Sequence, residues 1–177
     1  TRRPKARTRP PAGGAGARRR PRAPRGVARE VVAGVIGYVA GLPILALGIG
    51  LVLLLTRFTG HRPSHPMMFE VPTAGVWQVV GLMLLACVWA PVMEEVVLRG
   101  AFYHHPRRSA RPIVAGLLTG FVFAVIHPQG WTGLPAVMAL GLVFALLREW
   151  RGSLIAPVTA HALNNGLILC VLLMTMR

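Results

Sequence analysis

Five apolar stretches, separated by short polar segments, occupy most of the chain from residue 31 onward. A membrane-spanning helix needs about 20 apolar residues, which the first, second and fifth stretches supply and the third and fourth approach. We therefore predict an all-α fold, a polytopic transmembrane helix bundle with about five spans. The expected spans run from about Val31 to Leu55, Val76 to Leu98, Pro112 to His127, Leu134 to Leu147 and Ser153 to Met176.

The composition excludes a soluble globular domain. Hydrophobic residues make up 54% of the 177 positions and charged residues only 14%, whereas soluble domains carry about a quarter charged residues. Cys87 and Cys170 both lie inside apolar stretches. Two isolated cysteines in such positions do not form a disulfide framework, and we interpret them as small apolar side chains.

Residues 1–27 form a separate segment that is rich in Arg, Pro, Ala and Gly and has no acidic group. Such a segment has too little apolar surface to offset the entropy of ordering it, so we predict a disordered basic arm. The arm is expected to lie in the cytoplasm and to contact anionic lipid headgroups. Because no aromatic residue interleaves with the arginines, nucleic acid is not an expected partner. Residues 28–177 then form the transmembrane helical domain.

Basic residues are distributed unevenly between the two sides of the predicted bundle. Eleven precede or begin the first span, four lie within Arg99–Arg111 and two within Arg148–Arg151. The other side has two within Arg57–Glu70, none in residues 128–130, and the terminal Arg177. Because cytoplasmic loops of membrane proteins are enriched in Lys and Arg, this bias predicts a cytoplasmic N-terminus.

The second apolar stretch contains an acidic pair that is costly at membrane depth and therefore a candidate for function. Glu95 and Arg99 are four residues apart, so they share a helix face and are expected to form a salt bridge. Glu94 points about 100° away from Glu95. It has no local partner and is the candidate general base or acid.

Two further polar groups lie in the third and fifth stretches. His127 follows Phe123 by four residues and precedes Pro128, which marks a helix end. His161 and Asn165 are also four residues apart and share a face; Asn164 lies on a different face and is a weaker candidate. The remaining histidines, which are His61, His65, His104 and His105, are interpreted as solvated loop residues.

The combination indicates hydrolytic chemistry, with two alternatives. A carboxylate and two imidazoles can hold and deprotonate a water, while an imidazole and a carboxamide donate hydrogen bonds to the developing oxyanion. Alternatively, Glu94, His127 and His161 could bind zinc and leave a fourth position for water. The chain contains no HExxH, GxSxG or P-loop motif and no catalytic Cys–His pair.

These clusters resemble the motif set of the family of CAAX prenyl proteases and bacteriocin-processing enzymes, which are intramembrane proteases. The family carries EExxxR, FxxxH and HxxxN motifs on successive helices. Their order and spacing match across residues 76–176. The matching residues are Glu94, Glu95 and Arg99, then Phe123 and His127, and finally His161 and Asn165.

The resemblance implies a membrane endopeptidase that cleaves a membrane-linked peptide or protein near the cytoplasmic interface. The family is named for the cleavage of prenylated CAAX proteins, and a bacterial member is expected to process a peptide such as a bacteriocin precursor. Glu94 would activate water that His127 positions, and His161 with Asn165 would stabilise the oxyanion. The expected mechanism is metal-free, with no cofactor, although zinc is an alternative. A bacterial plasma membrane is the expected location. The residues that would support the site are Glu95, Arg99 and Phe123.

Two other functions fit an intramembrane set of acids and imidazoles. The first is a proton-coupled transporter, in which Glu and His relay protons, although the chain shows no repeated halves. The second is a catalytically inactive immunity or scaffold protein. The protease also has a geometric requirement: Glu94 and His127 meet only if the third helix tilts or starts below the membrane, or if the second helix continues past Gly100.

Overall fold

The fold is known from a computed structural model, which describes residues 26–175. The predicted disordered arm therefore lies outside the described residues, apart from its last two positions. In the described part, single 3-10 turns at Val71–Thr73 and Trp131–Gly133 precede two of the helices. The helices are α1 (Val27–Thr59), α2 (Met67–Glu70), α3 (Val76–Arg107), α4 (Pro112–Val125), α5 (Leu134–Arg151) and α6 (Ile155–Thr175).

The all-α membrane bundle expected from the sequence is confirmed. Four helices of the described part are long and apolar enough to cross a membrane: α1, α3, α5 with its preceding turn, and α6. The fifth apolar helix, α4, has only 14 residues, so the bundle has four full-length spans and one shorter helix. It ends at Val125, two residues before His127, because Pro128 disfavours helical geometry in the residue that precedes it.

Helix α3 continues to Arg107, well beyond the end at Leu98 that its sequence suggested. Two wider π-helical turns interrupt it, at Leu85–Trp89 and Val96–Phe102. Pro91 has no N–H to donate to the preceding turn, which accounts for the first wide turn. The helix therefore continues past Gly100, which is one of the arrangements predicted to bring Glu94 close to His127.

Helices α4 and α5 pack with their backbones in direct contact. A Cβ atom on Gly120 would lie 2.8 Å from the carbonyl oxygen of Met138, and one on Gly141 would lie 2.5 Å from the Cα of Gly120. Gly116 packs against the side chain of Leu142 in the same way. Small residues at these positions are required for the approach, which brings the end of α4 beside the middle of α3.

Charged contacts identify which helix ends lie together. The start of α1 meets the end of α5 through Glu30 and Arg151, at 2.7 Å, and Arg107 on α3 pairs with Glu149 at 2.8 Å. At the opposite end, the backbone N–H of Ser64 donates to the carbonyl of Gln129, at 3.3 Å. The segments that the charge bias assigned to each side are therefore grouped as expected.

A buried ion pair fixes the middle of α3 against α5. Arg99 Nη1 donates to Glu95 Oε1 at 3.0 Å, and both side chains are fully buried. Arg99 Nη2 donates to the carbonyl of Gly141 at 2.8 Å. The guanidinium carbon lies 4.9 Å from the ring centre of Phe123 and 5.5 Å from that of Phe144. The salt bridge predicted from the i,i+4 spacing is confirmed.

Replacing Arg99 should destabilise the bundle strongly. Arg99→Ala leaves the carboxylate of Glu95 buried without its cation, a change that costs about 3–5 kcal/mol. Unfolding of the purified protein in mixed micelles with increasing SDS measures the loss. Arg108→Ala removes an exposed arginine just beyond α3 and should change the free energy of unfolding by less than about 0.5 kcal/mol. Equal stability of the two variants would contradict the role assigned to the ion pair.

Candidate active site

Three of the side chains singled out in the sequence meet at one point. Glu94 Oε2 lies 3.7 Å from Nε2 of His127 and 3.7 Å from Nε2 of His161. This oxygen is buried and has no hydrogen-bond partner among the described residues. Separations of this size are too long for hydrogen bonds but suit groups that share one water. The arrangement therefore brings one carboxylate oxygen and two imidazole nitrogens to a single point.

Both imidazole rings are fixed through their other nitrogen. His127 Nδ1 lies 2.7 Å from the carbonyl oxygen of Phe123, and His161 Nδ1 lies 3.1 Å from Glu95 Oε1. Because a carbonyl and an ionised carboxylate can only accept, each Nδ1 carries the proton in these bonds. The Nε2 atoms are thereby aimed at Glu94.

Aromatic rings hold the same two histidines from the side. The ring of Phe123 makes an edge contact with His127 at 4.1 Å between centroids and another with His161 at 5.6 Å. His161 also stacks on Phe144 at 4.8 Å. Phe123 is only 1% exposed. Its ring also contacts the guanidinium of Arg99, so it lies between both imidazoles and that buried cation.

Asn165 lies in the wall of the cavity that contains Glu94. Its Nδ2 donates to the carbonyl oxygen of Ala86 at 2.9 Å, within the first wide turn of α3, and its Oδ1 accepts from Asn164 Nδ2 at 3.2 Å. A carboxamide nitrogen has two N–H groups, so one remains for another partner. Asn164 is buried and accepts from the hydroxyl of Tyr38 at 3.3 Å, which makes it a packing residue.

The cavity has a volume of about 490 Å³ and apolar walls around its few polar groups. It extends along the second half of α6 and reaches the segment that joins α1 to α3. Its polar lining residues are His65, Glu94, His127, Gln129 and Asn165, and the apolar ones are Met67, Met68, Leu85, Ala86, Ala90, Ile126, Pro128, Ile168, Leu169 and Leu172.

The cavity extends toward the end of the bundle that carries residues 60–75, because His65, Met67 and Met68 line it. This end lies opposite the Glu30–Arg151 and Arg107–Glu149 contacts, where the basic segments are grouped. Cleavage near the cytoplasmic interface stays a prediction.

Glu94, His127 and His161 are also the candidate zinc ligands. Their chemistry suits zinc, since each imidazole presents Nε2 while Nδ1 is held by an oxygen. Within residues 26–175, however, no group of three or more His, Cys, Asp and Glu side chains has the arrangement needed to hold a metal ion. The zinc alternative of Glu94, His127 and His161 stays a prediction that a metal analysis of the purified protein tests.

Several contacts of the site were not visible in the sequence. Phe144 and the carbonyl of Gly141 meet the motif residues only because α5 packs against α3 and α4. His65 was interpreted as solvated, yet it is half-buried and lines the cavity. The three other loop histidines, which are His61, His104 and His105, are exposed as expected.

Comparisons with known proteins give one family match and two relatives. Residues 76–167 match the family model described as type II CAAX prenyl endopeptidase Rce1-like. The chain is 22% identical over 141 residues to the membrane-embedded CAAX protease MroQ of Staphylococcus aureus (strain USA300), covering 72% of this chain and 56% of that protein. It is 25% identical over 103 residues to the putative membrane peptidase YdiL of Bacillus subtilis (strain 168), covering 58% and 42%.

The chain thus spans about half the length of the curated relatives it matches. No solved structure matches it significantly. The family match covers more than half of the chain and includes Glu94, His127 and His161, the three side chains that meet at Glu94 Oε2. The chain therefore belongs to the Rce1-like family of type II CAAX prenyl endopeptidases.

Proposed function

We propose that the protein is an intramembrane endopeptidase in which Glu94 activates a water for attack on a peptide bond. The observation that carries the proposal is the buried Oε2 of Glu94, which faces Nε2 of both His127 and His161 at the end of a cavity. A carboxylate within reach of a water that is positioned by imidazoles is the arrangement required of a general base.

In the proposed reaction, Glu94 takes a proton from the water while the water oxygen bonds to the carbonyl carbon of the substrate. His127 positions that water. The free N–H of Asn165 and an N–H of His161 donate to the oxyanion of the tetrahedral intermediate. The C–N bond then breaks, and Glu94 passes its proton to the departing nitrogen. The products are a carboxylate and an amine.

The role of His161 as a donor requires a proton on both ring nitrogens. Its Nδ1 donates to Glu95, so Nε2 can donate to an oxyanion only in the imidazolium form.

The proposed substrate is a membrane-linked peptide. The apolar walls contributed by α6 and by residues 67–68 suit a hydrophobic side chain or lipid chain beside the cleaved bond. MroQ is described as a CAAX protease and YdiL as a putative membrane peptidase. Both descriptions support a peptide substrate.

Glu94→Gln should abolish cleavage while leaving the fold intact. The amide keeps the shape of the side chain but cannot take the proton from water, a loss of about 10²–10⁴-fold in kcat. The assay uses internally quenched peptides, with and without a farnesyl chain, mixed with the protein in liposomes. Glu70→Gln, an exposed carboxylate outside the cavity, should cleave at the wild-type rate.

Full activity of the Glu94→Gln protein would reject the proposed base. Two other results would favour the rival functions. An inactive wild type that couples substrate uptake to protons in vesicles, with uptake lost on Glu94→Gln, indicates a transporter. A wild type that is inactive in both assays indicates an immunity or scaffold protein.

The metal-free mechanism has its own test. The purified protein should contain less than one-tenth of a zinc per chain, roughly the background expected without a site that holds the metal, and its peptidase activity should resist EDTA and 1,10-phenanthroline. Elemental analysis and the assay above provide both measurements. Stoichiometric zinc, with activity lost on chelation and restored by zinc, would replace the glutamate mechanism with a metal-dependent one.

We further propose that the basic ends of the bundle are cytoplasmic, so the segment of residues 60–75 lies on the opposite side of the membrane. Arg107, Arg108 and Arg111 lie at the same end as the basic start of α1, whereas the opposite end carries Arg57 and Arg62. The positive-inside rule favours this orientation.

Ser64→Cys and Ser109→Cys, each made with Cys87 and Cys170 replaced by alanine, test the orientation. Both serines are exposed and lie at opposite ends of the bundle. A membrane-impermeant maleimide should label position 64 in intact cells and position 109 only after permeabilisation. The reverse pattern would place residues 60–75 in the cytoplasm and reject the proposed orientation.

A further inference from the structure

The segment that joins α1 to α3 contributes a third imidazole to the cavity. His65 lies between Pro63 and Pro66, whose rings restrict the backbone on either side. The N–H of Ser64 donates to the carbonyl of Gln129, and the N–H of Met68 donates to the carbonyl of His65 at 2.9 Å. The side chain of His65 is therefore held on an ordered segment of the cavity wall.

One ring nitrogen of His65 is already assigned by its partner. The backbone N–H of Met67 donates to Nδ1 at 3.2 Å, so Nδ1 is the acceptor and Nε2 carries the proton. Burial lowers the pKa of His65, and His127 lowers it further against a smaller opposing effect of Glu70. The ring is therefore neutral near pH 7, with one N–H available to a ligand.

Gln129 supplies a complementary group to the same cavity. It lies in the turn after α4, directly beside the segment of His65. Its Oε1 is buried and has no hydrogen-bond partner among residues 26–175. An unpaired buried acceptor costs free energy, which a donor on a bound ligand would recover.

We propose that His65 and Gln129 form a polar subsite that binds the main chain of the peptide substrate beside the cleaved bond. His65 Nε2–H donates to a substrate carbonyl, and Gln129 Oε1 accepts from a substrate N–H. An extended peptide offers both groups at every residue, so the subsite recognises backbone rather than side chains. The neighbouring Met67 and Met68 provide adaptable apolar contact around it.

The subsite acts in binding and not in proton transfer. Glu94, His127 and His161 form the cluster assigned to the chemical step, and His65, on the segment that joins α1 to α3, lines the cavity outside that cluster. Interactions made equally in the ground state and the transition state change KM and leave kcat unchanged. This inference rests on the proposed peptidase function.

The test measures KM and kcat for the quenched peptide with substitutions at both positions. His65→Ala and Gln129→Leu should each raise KM about 2- to 10-fold, the effect of losing one hydrogen bond, with kcat within about twofold of wild type. His65→Gln and Gln129→Glu retain a donor and an acceptor, respectively, and should restore part of the loss. His61→Ala, an exposed histidine of the same segment, should behave as wild type.

A modified substrate separates binding from misfolding. Peptides that are N-methylated at one position at a time lose one backbone N–H each. At one position the methyl group should raise KM for the wild type and have no additional effect on the Gln129→Leu variant. If N-methylation at every position raises KM by the same factor for the wild type and for the Gln129→Leu variant, the subsite is rejected.

Failure of this inference is distinguishable from failure of the peptidase proposal. Wild-type KM values in the His65→Ala and Gln129→Leu variants, together with an inactive Glu94→Gln protein, would remove the subsite and keep the peptidase. A large fall in kcat at an unchanged KM for His65→Ala would overturn the binding role.

Discussion

The buried ion pair between Glu95 and Arg99 is the contact on which the rest of the site depends. Glu95 uses one carboxylate oxygen to receive both Arg99 Nη1 and His161 Nδ1, at 3.0 and 3.1 Å. Arg99 also binds the backbone of α5 through Gly141. One carboxylate therefore links α3 to α6, and its cation links α3 to α5. The pair thus fixes α3, which carries Glu94, against α5 and α6, and it holds Nδ1 of His161.

The two wide turns of α3 place these groups. A regular helix uses its own carbonyl groups for i to i+4 hydrogen bonds, whereas π-helical turns rearrange them. Here the carbonyl of Ala86 accepts from Asn165, and the carbonyl of Arg99 accepts from Arg148 at 3.4 Å. Both contacts join α3 to neighbouring helices on either side of the acidic pair. The two π-helical turns thus provide carbonyl groups of α3 for hydrogen bonds with α5 and α6.

Local sequence spacing predicted the parts of the site that lie on single helices. The Glu95–Arg99 pair follows from a separation of four residues on a helix, and the divergence of Glu94 follows from the helical pitch. Apolar length likewise predicted the spans. The extent of α3 was underestimated, because a buried arginine looks like the end of a span when its partners on α5 are unknown.

The contributions that the sequence did not reveal all come from contacts between distant segments. Phe144 carries no local signal of its position beneath His161, and His65 resembles any histidine in a polar connection. The place of the cavity also depends on how the helices of residues 26–175 pack. None of these features has a spacing rule, because the partners are tens of residues apart and their distance is set by tertiary packing.

Helix α4 is too short to cross a hydrocarbon core by itself. Its 14 residues rise about 21 Å, at 1.5 Å per residue, while the core is about 30 Å thick. His127 lies two residues past its end, and Gln129 in the following turn accepts from the N–H of Ser64. Gln129 and residues 65, 67 and 68 line the same cavity as Glu94. A longer α4 would place regular helix where Gln129 now contacts this segment, so the early end of α4 and this part of the cavity wall are one feature of the fold.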